Sequence, residues 1–283
     1  MIGNTLEEIA QTKAGIIKPG CLVISAPQKA EVRKVLIDRA EKCGCPIVFA
    51  DRNQVEIEEE NYKGTVFTYK EFQSLSIYLP GTYQIINSMT AIETIQAWRK
   101  AKKSCCFDLD QGEEVWHQAV RKGLEKTTWY GRFSCIYENP IFIVDGAHNE
   151  DAALRLKESV DAYFPGKKLI MIMGVFRDKE YEKIVRIMSS SMKCVYTVDL
   201  PNKERSLPAK ELKACIDQIM LEQQQTEEGL PEVYAVGDIE KAVNDARKKA
   251  EDQEIILAMG SLSYLGNVLQ IVNGWKDKGK END

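Results

Sequence analysis

The chain has 283 residues, of which 44% are hydrophobic and 29% are charged, and its formal net charge is -5. This length is enough for about two domains with separate cores, and the acidic balance gives no global attraction to nucleic acid or anionic lipid. Because the apolar runs are too short to cross a bilayer and the first residues lack the pattern of a secretory signal, we expect a cytoplasmic protein whose eight scattered cysteines are reduced thiols rather than zinc ligands.

The first half of the chain reads as an irregular α/β region. A helix is predicted from Thr5 to Lys13, because Thr5 followed by Glu8 three residues later is the pattern of a capping box. A two-strand α/β piece beside a small antiparallel sheet has no evident cover, so we interpret this half as the C-terminal part of a larger domain. The remaining elements predicted from the apolar pattern are strands at 21–25, 46–50, 66–69 and 75–78, and helices at 29–43, 83–103 and 112–122.

The second half alternates short apolar strands with helical periods, a pattern that predicts a parallel sheet covered on both faces. Proline and asparagine at Glu138-Asn-Pro140 interrupt two strands, so we place the domain boundary at 139/140. The charged residues Lys276 to Asp283 are expected to fray. The predicted strands are 141–144, 168–173, 194–198, 233–236 and 255–259, and the predicted helices are 150–164, 179–190, 208–223, one after Asp238 and one ending near Val272.

Four segments carry polar residues that are candidates for ligand binding or catalysis. The last of them, Asp145-Gly-Ala-His-Asn149, lies where a strand gives way to a helix, and ligands bind at such carboxyl ends of parallel strands. A carboxylate there can accept from ribose hydroxyls, and a helix N-terminus favours an anion. Each segment also has an ordinary structural interpretation, which for this one is an N-cap cluster. The other three are Ile9-Ala-Gln-Thr-Lys13-Ala-Gly-Ile-Ile, Leu79-Pro-Gly-Thr-Tyr-Gln-Ile-Ile-Asn87 and Trp129-Tyr-Gly-Arg132.

Taken in order, these segments resemble the folylpolyglutamate and dihydrofolate synthases of the Mur ligase superfamily. Gly174-Val-Phe-Arg-Asp-Lys179 and Met259-Gly-Ser-Leu262 resemble two later motifs, so the resemblance spans essentially the whole chain. It implies an α/β fold, with residues 1–139 as the C-terminal part of a central ATPase domain and 140–283 as a doubly wound, mainly parallel domain. The implied activity is ATP- and Mg²⁺-dependent ligation of L-glutamate to a folate, either dihydropteroate or tetrahydrofolate, through an acyl phosphate.

The resemblance also implies roles for single residues. Asn87, Arg132 and Asp145 fall on positions that contact ATP in the family, and an arginine there suits a phosphate or the adenine face. His148 falls near the reacting phosphates and the incoming glutamate. Ser261 falls where the family helps to hold glutamate. These side chains are the candidate site.

Lys13 matches a family lysine that reacts with carbon dioxide to give a carbamate, an oxygen ligand suited to Mg²⁺. We nevertheless expect Lys13 to be unmodified and exposed here, because carbamate formation needs a neutral amine and the neighbouring metal ligands are missing. Thr12 also replaces the family's usual glutamate. Farther on, Ser263 shifts the family's Gly-Ser-Leu-Tyr pattern by one place, which leaves the role of Tyr264 open.

The sequence contains no Gly-x-x-x-x-Gly-Lys-Ser/Thr, the loop whose backbone amides wrap the phosphates in this family. We therefore expect an N-terminally truncated ligase that is inactive alone. Two alternatives stay open: a non-catalytic nucleotide-binding remnant, and one half of a split ligase whose P-loop lies on a separate chain. The sequence does not separate addition of the first glutamate from extension of an existing tail.

Overall fold

The computed structural model describes residues 3, 5–102, 112–223 and 230–280, and it divides the chain into two compact units. The predicted helix end at Lys103, together with Cys105 and Cys106, lies outside the described residues. The first unit consists of Met1–Glu59, Thr65–Tyr78 and Tyr83–Thr127, and the second of Glu60–Gly64, Leu79–Thr82 and Thr128–Asp283.

The first unit begins with the predicted capping box. The Thr5 hydroxyl accepts from the Glu8 amide at 3.2 Å, and the Glu8 carboxylate accepts from the Thr5 amide at 3.3 Å. This satisfies amides that a helix start leaves without partners. The helix is α1 (Leu6–Ala14), and after it come β1 (Val23–Ser25), α2 (Ala30–Lys42) and β2 (Ile47–Phe49), in which β1 and β2 pair in parallel.

A three-stranded antiparallel sheet follows, in the order β3-β4-β5. Sequence analysis missed β3, whose run of glutamates gives little apolar alternation and whose residues are mostly exposed. Phe67 and Leu75 lie on β4 and β5 and pack with Met89 of the next helix in one core. The elements are β3 (Val55–Asn61), β4 (Gly64–Tyr69), β5 (Phe72–Ile77), α3 (Gln84–Lys102) and α4 (Gly112–Lys126).

The second unit contains a six-stranded sheet in the order β10-β9-β8-β11-β7-β6. Its neighbours pair in parallel except β6 and β7, which form an antiparallel hairpin. Asn139 and Pro140 form the turn of that hairpin, so the main segment of this unit begins at Thr128, ahead of the predicted boundary. The strands are β6 (Ser134–Glu138), β7 (Ile141–Val144), β8 (Leu169–Met173), β9 (Met192–Val198), β10 (Glu232–Gly237) and β11 (Ile255–Met259).

Helices cover both faces of this sheet, which confirms the predicted doubly wound fold. On one face, Met171 and Leu257 pack with α5 (Glu150–Tyr163), α6 (Tyr181–Met188) and α7 (Ala209–Glu222). On the other face, Ile170 and Ile256 pack with α8 (Ile239–Lys249) and α9 (Leu265–Lys280). The segment predicted to fray is helical as far as Lys280, and residues 281–283 lie outside the described part.

Two short earlier segments belong to the second unit through contacts with α5. The Tyr62 ring lies 5.5 Å from that of Phe164. The Tyr163 hydroxyl accepts from the Gly81 amide at 3.0 Å, and the Ser159 hydroxyl accepts from the Thr82 amide at 3.2 Å. Residues 60–64 and 79–82 therefore complete the surface of α5, although they lie far from it in sequence.

Two findings bear on the expectations from composition. Among the described residues, the helices are too short or too polar to span a membrane. The six cysteines in the described ranges are all free thiols, and two of them, Cys45 and Cys194, are buried.

Candidate active site

The polar residues of the second unit gather at the carboxyl ends of β7 and β11, which are neighbours in the sheet. After β7 the chain turns to α5 on one face, and after β11 it turns to α9 on the other. Because adjacent connections leave in opposite directions, a crevice opens between them, and this is where open α/β sheets bind ligands. Asp145 follows β7 directly, and Ser261 follows β11 after one glycine.

Asp145 is only 5% exposed, and its two oxygens accept from different turns. One oxygen accepts from the Phe133 amide at 2.8 Å, and the other accepts from the Ala147 amide at 2.8 Å. The carboxylate therefore joins the Trp129–Phe133 turn to the turn that leads into α5. This geometry brings the backbone beside Arg132 to Asp145, while contact of either residue with ATP stays a prediction.

Two glycines at this edge lie in close approaches. A Cβ at Gly146 would stand 2.2 Å from the exposed Leu262 side chain, which would have to move aside. Gly260 has φ +106° and a Cβ there would stand 2.4 Å from the Gly174 carbonyl oxygen. A side chain at Gly260 would therefore force the turns after β8 and β11 apart.

His148 and Asn149 form the entry to α5. Asn149 caps the helix, since its side-chain oxygen accepts from the Ala152 amide at 2.9 Å. The cap that the sequence offered as a structural interpretation is thus present. His148 is half-buried, and its Nδ1 lies 2.8 Å from the Gly146 carbonyl oxygen. The imidazole is held by the backbone at the N-terminal end of a helix, where an anion is favoured.

Ser261 is buried at 3% exposure and starts the turn after β11. Its hydroxyl accepts from the Ser263 amide at 3.2 Å and lies 2.9 Å from the Ser263 hydroxyl. Tyr264 points inward instead, because its hydroxyl lies 2.9 Å from the Ile172 carbonyl and 2.8 Å from the Met259 carbonyl. The one-place shift in the motif therefore puts Tyr264 in the core, where it ties the ends of β8 and β11 together.

Most side chains of the Trp129–Phe133 turn are exposed to solvent. Arg132 is exposed, and Trp129 and Tyr130 are 65% and 69% exposed. Phe133 points the other way and is fully buried, with φ +47°. The buried phenylalanine and the Asp145 hydrogen bond fix the turn, so the Arg132 backbone is held at the crevice.

The two candidate residues of the first unit are described within that unit. Lys13 lies in the last turn of α1 and is exposed, as expected. The Asn87 side chain donates to the Gln84 side-chain oxygen at 2.8 Å in the first turn of α3. The carbamate state of Lys13 and the nucleotide contact of Asn87 both stay predictions.

Sequence analysis missed the partner of Asp178 in the motif at 174–179. The Arg205 guanidinium donates to both oxygens of Asp178, at 2.8 and 3.1 Å, and this hydrogen bonding lowers the pKa of Asp178. Arg205 also lies 4.4 Å over the Phe176 ring. Its separation of 27 residues from Asp178 left no local signal of the pairing.

No three His, Cys, Asp or Glu side chains among the described residues are grouped as metal ligands. A nucleotide fits the groups that are present. Arg132, the N-terminus of α5 and the half-buried His148 lie on the two turns that Asp145 joins, and phosphate and adenine are bound by such groups.

Comparison with known proteins finds similar proteins along most of the chain. Residues 131–262 match the Mur ligase glutamate ligase domain. The chain is 26% identical over 273 residues to the dihydrofolate synthase/folylpolyglutamate synthase of Bacillus subtilis, covering 95% of this chain and 58% of that protein. The chain thus spans less than two thirds of that relative's length.

Solved structures agree with this assignment. The folylpolyglutamate synthase of Thermotoga maritima superposes with a TM-score of 0.72 at 25% identity, over 96% of this chain and 59% of that one. Escherichia coli FolC, solved with DHPP and ADP, has the same fold at a TM-score of 0.73 and 19% identity, over 97% and 58% of the two chains. Residues 131–262 thus match a Mur ligase glutamate ligase domain, and nearly the whole chain is similar to folylpolyglutamate and dihydrofolate synthases, a family of ATP-dependent glutamate ligases.

Proposed function

We propose that this chain serves an ATP-dependent ligase that joins L-glutamate to a folate, and that its second unit forms the nucleotide- and glutamate-facing wall of the site. The observation that carries the proposal is the contact between the turn after β7 and the end of β11, where the Asp145 amide donates to the Ala258 carbonyl and Gly146 lies close to Leu262. These residues lie within the segment that matches the glutamate ligase domain.

Each candidate residue has a role in this proposal that follows from its chemistry. Arg132 and the N-terminus of α5 would neutralise phosphate charge, and Asn87 would contact the nucleotide from its own unit. Ser261 and His148 would face the incoming glutamate. ATP would supply the phosphoryl group that activates the folate carboxylate for attack by the glutamate amine.

In this proposal a carbamate on Lys13 would supply an oxygen ligand for Mg²⁺, and we assign no step to the metal. Joining a P-loop segment to the chain is expected to promote the Lys13 carbamate. Mass spectrometry under carbon dioxide, with and without that segment, tests this point; a carbamate on the chain alone would contradict it.

The proposal is tested with the chain alone and with the chain joined to the P-loop half of the Bacillus subtilis relative. We expect no glutamate addition by the chain alone, because the sequence has no phosphate-binding loop, and measurable addition by the joined protein. Product mass spectrometry with dihydropteroate and with tetrahydrofolate as acceptors also decides which glutamate is added. Addition by the chain alone contradicts the expected inactivity.

Matched variants test the site within that experiment. Arg132→Ala should lower the rate of the joined protein by at least roughly tenfold, since a charge-assisted phosphate contact is worth about 1.5–3 kcal/mol and about 1.4 kcal/mol is tenfold in rate. Arg186→Ala, which removes an arginine paired with Glu222 on the α6–α7 surface, should leave the rate unchanged. Equal rates of glutamate addition by the Arg132→Ala and Arg186→Ala variants would show that Arg132 is not part of the site. ADP binding without any restorable ligation would favour a non-catalytic nucleotide-binding protein.

A further inference from the structure

The His148 ring is held in one protonation pattern by the backbone. Its Nδ1 lies 2.8 Å from the Gly146 carbonyl oxygen. A carbonyl oxygen can only accept, so Nδ1 must carry the hydrogen of this bond. In the neutral imidazole, the remaining lone pair is then on Nε2. The tautomer therefore follows from the position of a single carbonyl group.

That carbonyl belongs to a turn whose amides are all fixed. The Asp145 amide donates to the Ala258 carbonyl at 2.9 Å, and the Gly146 amide donates to the Gly131 carbonyl at 2.8 Å. The Ala147 amide donates to the Asp145 carboxylate at 2.8 Å. The first two bonds anchor the turn to its neighbours, and the third closes it on itself.

The same carboxylate also accepts from the Phe133 amide, and it is almost fully buried. Two converging N–H donors require two acceptor atoms, which a carboxylate supplies and a carboxamide does not, because its nitrogen would face one of the donors. The residue type at 145 thus matches the backbone geometry around it, independently of any contact with a nucleotide.

We propose that Asp145 is a positioning residue that fixes His148 as the Nδ1–H tautomer and so leaves Nε2 free to accept a proton. This inference rests on the proposed function, because the proton in question is one of those on the ammonium group of the incoming amino acid. An amine attacks a carboxyl carbon only with its lone pair free, so ligation needs such an acceptor. The proton passes from the ammonium nitrogen to Nε2, and the amine keeps the electron pair.

The chain itself provides a clean spectroscopic test, because it contains two histidines, His117 and His148. In ¹⁵N-histidine-labelled protein without ligands, at a pH where both rings are neutral, long-range ¹H–¹⁵N spectra report which nitrogen is protonated. We expect His148 to show protonated Nδ1 and unprotonated Nε2. Asp145→Asn should shift His148 toward the opposite tautomer, with His117 unchanged as the internal control.

Amide hydrogen exchange gives a second measurement on the same samples. In Asp145→Asn, the amide of Phe133 or Ala147 loses its acceptor and should exchange at least roughly tenfold faster, because a buried hydrogen bond to a charged group is among the stronger hydrogen bonds. Asp151→Asn, an exposed aspartate on α5 that pairs with Arg155, should change neither the exchange nor the tautomer.

Two results would overturn the proposal: protonated Nε2 on His148 in the unsubstituted chain, or the same His148 spectrum with and without the Asp145 substitution. A variant that merely loses stability would change exchange throughout the second unit and leave the tautomer of the folded fraction unchanged, which also overturns it. These measurements use the ligand-free chain, so they stand whether or not glutamate addition can be restored.

Discussion

Parallel strands occur in both units, but their surroundings differ. Every residue of β8 and β11 is buried. In the first unit, β1 and β2 are mostly half-buried, and within the described part of the chain they form a sheet of two strands only. Nearby, Ile16 is 80% exposed and Leu22 39% exposed. Parallel strands are normally covered on both faces, so the same strand type is fully covered in one unit and only partly covered in the other.

This difference in burial shows that strand formation and burial are separate properties of an apolar run. Its sequence predicts that it will form a strand, whereas its burial depends on what lies beside it. The turns that carry Asp145, His148 and Ser261 rest on strands whose burial is supplied by the second unit itself. Lys13 is on a helix next to strands with much less cover. Substituting matched residues in the two units measures how much that matters.

The largest difference is expected for isoleucines in the two parallel sheets. Ile256→Ala on β11 removes a fully buried side chain and should lower the free energy of unfolding of the second unit by about 3 kcal/mol. Ile47→Ala on half-buried β2 should cost the first unit about 1 kcal/mol. Hydrogen exchange resolved by segment measures both. Equal costs would show that β2 is covered in solution.

Cysteine reactivity should also separate the units. Burial raises the pKa of the Cys215 thiol to about 11, whereas Cys21 in the first unit is exposed. Only the thiolate reacts, and at pH 8 a thiol with a pKa of 11 is roughly 0.1% ionised. Iodoacetamide at pH 8 should label Cys21 roughly 100-fold faster than Cys215, as followed by peptide mass spectrometry. Comparable rates would mean that α7 opens readily.

Two fully buried tyrosines provide the next comparison. The Tyr69 hydroxyl donates to the buried Glu93 carboxylate at 2.7 Å, and Tyr264 bonds to backbone carbonyls. Hydrogen bonds to charged groups are the stronger kind, so Tyr69→Phe should cost about 2 kcal/mol and Tyr264→Phe about 1 kcal/mol. Urea titrations report both values. A larger cost at Tyr264 would mean that its tie between β8 and β11 supports more of the sheet than its own bonds.

The smallest difference is expected at the helix caps. Thr5→Ala and Asn149→Ala each remove one side-chain acceptor from a helix N-terminus, and each should cost about 1 kcal/mol. Capping is local, so the burial of the rest of the unit should not change its value. Segment-resolved exchange in α1 and α5 checks this. If Asn149→Ala alone lowered the stability by more than about 2 kcal/mol, Asn149 would stabilise the fold by more than its capping bond.

Much of the second unit could be predicted because its central strands are short continuous apolar runs between helical periods. The strand at 55–61 could not, since its glutamates favour no buried face and its pairing with β4 alone makes it a strand. The motifs suggested candidate site residues, and the apolar run before Asp145 correctly predicted that this residue follows a strand. The two amides that its carboxylate accepts come from residues 2 and 12 positions away, and only the folded backbone brings both to it.

The contacts of α5 with residues 60–64 and 79–82 determine where an expression fragment of the second unit must begin. The second unit is contiguous in space but is assembled from three stretches of the polypeptide. An expression fragment that starts at Thr128 would omit two of those stretches. Ser159 and Tyr163 would lose the amides that they accept from, and Phe164 would lose the Tyr62 ring. A gene segment that encodes the whole second unit must therefore begin at or before Glu60, and it also encodes residues of the first unit.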